Sequence, residues 1–276
     1  MCRFLESRGF TITYLPVDSQ GMIDLQAVAK AISPMTILIS IMHANNEVGS
    51  IQPIREISEI AHENGILFHS DGAQSIGKIP VYINDLDIDL LSIAGHKLYA
   101  PKGVGALYIR SGVKLDKFIH GAGQERDYRA GTENILEIVG LGKAFELINE
   151  NLEDEINRLG TLRDRLEDAL LNSFPSCRVN GHRDMRLPNT TSISFKGLEA
   201  NRLVSLLANK VAVSAGAACH SDMIKVSSVL DAMHIPLNYA MGTVRLSTGR
   251  FSTEEEIDQA IIEIKNVVNQ LMDESR

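Results

Sequence analysis

Residues 90–110 read LLSIAGHKLYAPKGVGALYIR, and their pattern decides the fold. The apolar run Leu90–Ala94 ends at Gly95, and Lys97 follows two residues later. Pro101, Gly103 and Gly105 then turn the chain into a second apolar segment, Val104–Arg110. Strand, glycine turn and strand lift one lysine to the end of a sheet. Alone this is weak evidence, since most lysines are solvated surface residues. Just upstream, Ile66–Gln74 reads ILFHSDGAQ, a short strand that delivers Asp71, with Gln74 after it. A carboxylate at one strand end and a lysine at the next can serve a pyridoxal phosphate site. There the lysine, its pKa lowered in an enclosed setting, holds the aldehyde, and the acid pairs with the pyridinium nitrogen.

Working back towards the start, Thr36–Met42 reads as a buried strand, and HANNEVG (His43–Gly49) as a polar loop leaving its carboxyl end. Leu25–Ile32 is helical until Pro34, Ile54–Glu63 is an amphipathic helix stopped by Gly65, and Thr11–Leu15 alternates like a strand. Residues 1–10 look like the tail of a helix that begins ahead of the sequence, with Gly9 as its cap. Alternating strands and helices predict parallel βαβ units, whose ligands sit beyond the carboxyl ends of the strands. Asn45/Asn46, Asp71/Gln74 and His96/Lys97 all fall on those ends.

Beyond Arg110 comes HGAGQERDYRAGT (His120–Thr132), where Thr132 can cap a helix from Glu133 through Leu147. A second helix over about Glu153–Asn172 carries Leu159, Leu162, Leu166 and Leu170 as its inner stripe. Short strands then alternate with helices (Cys177–Asn180, Thr191–Phe195, Glu199–Ala208, Val211–Ser214, Thr243–Ser247), and Ser252 with Glu255 forms a capping box for a last helix to about Met272. The expected architecture is α/β: a mostly parallel sheet domain over residues 1–150 and a smaller α+β domain over 151–276. In VSAGAACHSD, Cys219 follows a strand among small residues; it reads equally as a buried, inert thiol or as an exposed one in a mobile loop, its thiolate favoured by His220. Arg245, on a strand in an apolar pattern, needs an anionic partner: an internal carboxylate or that of a substrate.

The 276 residues, 44% of them hydrophobic, can bury a substantial core. A net charge of −8 without a basic block argues against nucleic acid and anionic membranes as partners. The apolar runs are too short to span a bilayer, and MCRFLESRGF lacks the apolar core of a signal peptide. Cys2, Cys177 and Cys219 include no C-x-x-C pair, so a reducing compartment, most simply the cytoplasm, is expected and no metal site is assigned.

Six segments in order, IMHANNEVGSIQPI, FHSDGAQSIGKIPV, DLLSIAGHKLYAPKGVGALYIR, HGAGQERDYRAGTEN, VSAGAACHSD and VRLSTGRFSTEEEID, resemble the cysteine desulfurases of the class V aminotransferase family. GQERDYRAGTEN, RLPNT and GAACHSD look like its selenocysteine lyase branch. The resemblance implies the pyridoxal phosphate transferase fold of type I, with Lys97 holding the cofactor aldehyde and Asp71 pairing with the ring nitrogen. Gln74 and Asn46 would flank the ring, His96 would touch the phosphate, and Thr132 would reach a neighbouring copy's phosphate in a homodimer. Arg245, with Asn46, would hold the substrate carboxylate. Cys219 would take sulfur from L-cysteine, leaving L-alanine, and its loop would pass the persulfide to a sulfur-acceptor or iron–sulfur scaffold protein. L-selenocysteine is the alternative substrate; other readings are a transaminase of the same fold and a silent chain kept for dimerisation or scaffold binding. Two departures stand out: Ala94 replaces a phosphate-contacting serine of many relatives, and the family's ring-stacking histidine and phosphate loop would lie ahead of Met1.

Overall fold

The computed structural model describes residues 1–220 and 223–274, and only the backbone over 217–220 and 223–225. In chain order the elements are α1 (Cys2–Glu6), α2 (Leu25–Ala31), β1 (Leu38–Met42), α3 (Ile54–Glu63), β2 (Leu67–Asp71), α4 (Ile83–Leu86), β3 (Leu90–Ala94) and β4 (Gly105–Ile109). The long helix α5 (Ile135–Ser173) follows, then β5 (Cys177–Asn180), β6 (Thr190–Phe195), α6 (Ala200–Leu207) and β7 (Ser214–Ala215). The chain continues through β8 (Ala217–His220), β9 (Met223–Val226), α7 (Ser228–Ala232), α8 (Leu237–Ala240), β10 (Thr243–Ser247) and α9 (Glu254–Glu274).

The first sheet has the order β1-β2-β3-β4. β1, β2 and β3 run parallel, and β4 returns antiparallel to β3. Helix α3 is the crossover between β1 and β2; its Ile54, Ile57 and Ala61 are buried with Phe68 of β2 and Leu91 of β3. The second sheet, order β5-β6-β10-β7, is antiparallel throughout, and β8 and β9 form a separate two-stranded ribbon. One helix ties the two sheets together. Leu141 and Ala144 of α5 pack in the core of the first sheet, and Leu162, Leu166 and Leu170 in that of the second, with non-helical backbone at Asn151 between.

Several local expectations change. Thr11–Leu15 forms no strand, because no neighbouring strand pairs with it; only an isolated bridge, Val17 to Ile23, forms nearby. The two predicted helices after Thr132 run on as α5 with a kink at Asn151 between them, and the first starts after Asn134, so Thr132 is not its cap. The last capping box is shifted by one residue: Thr253 N–H donates to Glu256 Oε2 (3.1 Å), and Glu256 N–H to Thr253 Oγ1 (3.2 Å). β1 is not buried on both sides. Leu38 and Met42 are exposed, as are Leu67 of β2 and Leu107 of β4, which the strand register sets on the same face. A parallel sheet is usually covered on both faces; here the described chain packs its core on the face of Ile39, Phe68 and Leu91 and leaves much of the other open.

Candidate active site

Register brings the carboxyl ends of the parallel strands level. Met42 of β1 pairs with Asp71 of β2, and Asp71 with Ser92 of β3. Past those ends the backbone is tied as well, with His43 N–H donating to the Asp71 carbonyl and Gly72 N–H to the Ser92 carbonyl, both at 2.9 Å. The polar loops after the three strands therefore open from one edge of the sheet, as the spacing predicts.

In the loop after β1, Asn45 Oδ1 accepts the N–H groups of Glu47 (2.8 Å) and Val48 (3.0 Å), which curls HANNEVG and leaves Asn46 exposed. His43 is buried with no partner at Nδ1 among the described residues, and burial lowers its pKa to about 4, so the imidazole is neutral. After β2, Asp71 is exposed and accepts Ala73 N–H on Oδ1 at 2.8 Å. After β3 the chain makes a 3-10 turn, Gly95–Leu98, that presents His96 and Lys97 and buries Leu98. Gly95 is required there: a Cβ would lie 2.6 Å from the Val104 carbonyl oxygen on the returning chain. Lys97 makes no hydrogen bond or ion pair among the described residues and is exposed to solvent.

Arg245 reaches the same place from the second sheet. Its guanidinium donates to the Asn46 carbonyl (2.9 Å) and to Ser214 Oγ (3.1 Å), and among the described residues it meets no carboxylate. The internal carboxylate left open by sequence is thus absent from those residues, and the arginine holds an uncompensated charge at the strand-end loops. A second tie joins the sheets: the Tyr99 hydroxyl accepts Arg250 N–H at 2.8 Å, with the Arg250 guanidinium over the Tyr99 ring. Thr132 stands apart, exposed in the segment before α5 with no hydrogen bond to these residues. Cys219 lies on β8 opposite Ile224 of β9; its thiol, and the side chain of His220, lie outside the described residues.

One residue escapes the sequence reading. Lys78 Nζ donates to Gln74 Oε1 at 2.8 Å. Burial, reinforced by the positive charges of Lys97 and Arg245, brings its pKa down to about 8. The available signal is its spacing, four residues after Gln74 in one tight turn, but sequence does not show that this turn is packed inwards.

Known proteins share this chain's family and fold. The model of the aminotransferase class-V family matches residues 2–260. A cysteine desulfurase IscS of Methanosarcina thermophila is 48% identical over 271 residues, spanning 98% of this chain and 67% of the relative. One from Dictyoglomus turgidum is 46% identical, over 98% of this chain and 69% of its own length. Among solved structures, a NifS-like protein superposes with a TM-score of 0.90 at 37% identity, covering 98% of this chain and 71% of that one. A NifS-like protein from Rickettsia africae gives 0.84 at 31%, over 92% and 69%. The chain thus spans about two thirds of the length of these relatives.

Proposed function

The chain belongs to the class-V aminotransferase family, and we propose from that membership and the strand-end geometry that it is a pyridoxal phosphate-dependent cysteine desulfurase. It converts L-cysteine to L-alanine and leaves the sulfur as a persulfide on a protein thiol. The observation that carries the assignment of residues is Arg245, bonded to the Asn46 carbonyl at 2.9 Å and free of any described carboxylate, beside strand ends that carry Asp71 and Lys97.

The donor set fits the cofactor. Lys97 offers an unbonded amine for the aldehyde, Asp71 a carboxylate for the ring nitrogen, and Gln74 an amide whose oxygen is already taken by Lys78, leaving its N–H groups for a ring oxygen. When bound, pyridoxal phosphate supplies an electron sink for the carbanion at the substrate Cα. The protein does the rest. Arg245 would bind the substrate carboxylate, Asp71 would hold the proton on the ring nitrogen, and Lys97 would remove the Cα proton and later return it to Cα, while the proton given up by the Cys219 thiol goes to the carbon that becomes the alanine methyl. Cys219 as thiolate attacks the substrate sulfur: the C–S bond breaks, an S–S bond forms, and no external oxidant or reductant is needed. His96 is assigned to the phosphate, where Ala94 offers no hydroxyl.

Two copies complete the site in this reading. Thr132 precedes the first turn of α5, where Ile135, Leu136 and Val139 are exposed, and Phe118 is exposed in the preceding loop. That apolar surface supports a contact between copies that lends Thr132 to the neighbour. The acceptor of the persulfide is assigned as a sulfur carrier or iron–sulfur scaffold protein.

The direct test is to add pyridoxal phosphate, reduce with borohydride and locate the adduct by peptide mass. It is expected on Lys97 and absent in Lys97→Ala. With L-cysteine, alanine and a Cys219 persulfide should appear together, and Cys219→Ser should give neither. Alanine formation that survives Cys219→Ser would replace this reading with a transaminase or lyase of the same fold.

A further inference from the structure

Lys78 lies on the turn that leaves β2. Gly72–Ile79 winds through N–H donations from Ser75 and Ile76 to the Gly72 carbonyl, and from Lys78 and Ile79 to the Ser75 carbonyl, at 3.0–3.1 Å. Gly77, at φ +75°, brings this turn so close to the Lys97 segment that a Cβ would lie 2.8 Å from Leu98 Cδ2. Lys78 and Lys97 line one cleft with Tyr99, Glu155 of α5 and Arg250. The charged groups facing Lys78 are therefore Lys97 from the 3-10 turn, Arg245 from β10, Arg250 ahead of α9, and Glu155, which is held by Arg158 at 3.0 Å. Among the described residues Lys78 has no ion pair, and its hydrogen bond goes to Gln74 Oε1.

An ammonium can only donate, whereas a glutamine amide has an accepting and a donating end that exchange by a half-turn. The Lys78 bond therefore selects one of two amide orientations, with the oxygen turned to Lys78 and both Nε2 hydrogens left over. We propose that Lys78 is a positioning residue that locks the Gln74 amide with its N–H groups towards the cofactor's ring oxygen. This rests on the reading of Gln74 as a cofactor contact. Above pH about 8 the side chain becomes a neutral amine that can also accept, and the lock is released.

Two arms separate the proposal from that reading. In the cofactor-free chain, the nitrogen-15 resonance of the Gln74 side-chain amide should titrate with a midpoint near pH 8 in wild type. It should be flat in Lys78→Met, with its low-pH form restored in Lys78→Arg. A Gln74 amide unmoved both by pH and by Lys78→Met overturns the proposal, whether or not cofactor binds. In the second arm, pyridoxal phosphate affinity should fall about fivefold in Lys78→Met, the loss of roughly one oriented hydrogen bond, and be recovered in Lys78→Arg. An amide that titrates as expected while no borohydride adduct forms on Lys97 would keep the orienting role and remove the cofactor reading.

Discussion

Arg245 enters the site bonded to a carbonyl and a hydroxyl, both neutral. A guanidinium so placed keeps its charge for an incoming carboxylate, and charge-assisted bonds of that kind contribute about 1.5–3 kcal/mol. Arg245→Gln is accordingly expected to raise KM for L-cysteine roughly 10- to 100-fold, with a smaller change in kcat, by steady-state alanine assay. An unchanged KM would take Arg245 out of substrate binding. His43 gives a second prediction at this scale. Its pKa is 6.5 unfolded and about 4 folded, so the unfolded chain binds the proton more readily. The stability that the neutral imidazole contributes is whole above pH 6.5 and is lost as pH falls through that interval to about 4. At about 1.4 kcal/mol per pH unit the loss is about 3 kcal/mol. Urea unfolding at a series of pH values should show this slope, and His43→Gln should flatten it.

The turns decide what the strands present. Gly77 combines positive φ with the side-chain ends of Leu98 and Ile148, which would lie 2.8 and 2.9 Å from a Cβ and would have to shift. Gly77→Ala should cost about 1–3 kcal/mol from backbone strain and overpacking, read as a lower urea midpoint at unchanged m-value. Because the turn carries Lys78 and packs on Leu98, the same variant should also loosen the Gln74 amide, whereas a helix-surface substitution of equal destabilisation should not. Elements were legible where local pattern is enough: the β2 strand ending on Asp71, and β3 closing at Ala94 before a glycine and a lysine, follow from apolar period and glycine punctuation. Thr11–Leu15 has the alternation of a strand but no partner. The final capping box sits at Thr253 and Glu256 because the helix starts one residue later than Ser252 implies.

Across the whole molecule, α5 makes the two sheets one body, and the links at Arg245–Asn46 and Arg250–Tyr99 set the second sheet over the strand-end loops of the first. Among the described residues, apolar surface stays open on the sheet face with Leu38, Met42, Leu67 and Leu107 and at the start of α5 with Leu136 and Val139. If copies meet at α5, Leu136→Asp should shift the particle towards monomer by light scattering. Leu67→Asp, on the sheet face, should leave that mass unchanged. Charging Leu136, already 83% exposed, should barely alter monomer stability. By itself the sequence determined which side chains stand at strand ends, since residue period, glycines and prolines act over a few neighbouring residues. Only the tertiary structure decided that Arg245 meets the Asn46 carbonyl instead of an acid, and that Lys78 is drawn inwards to Gln74. Those outcomes depend on which distant segments share a surface, and sheet order and helix packing set that.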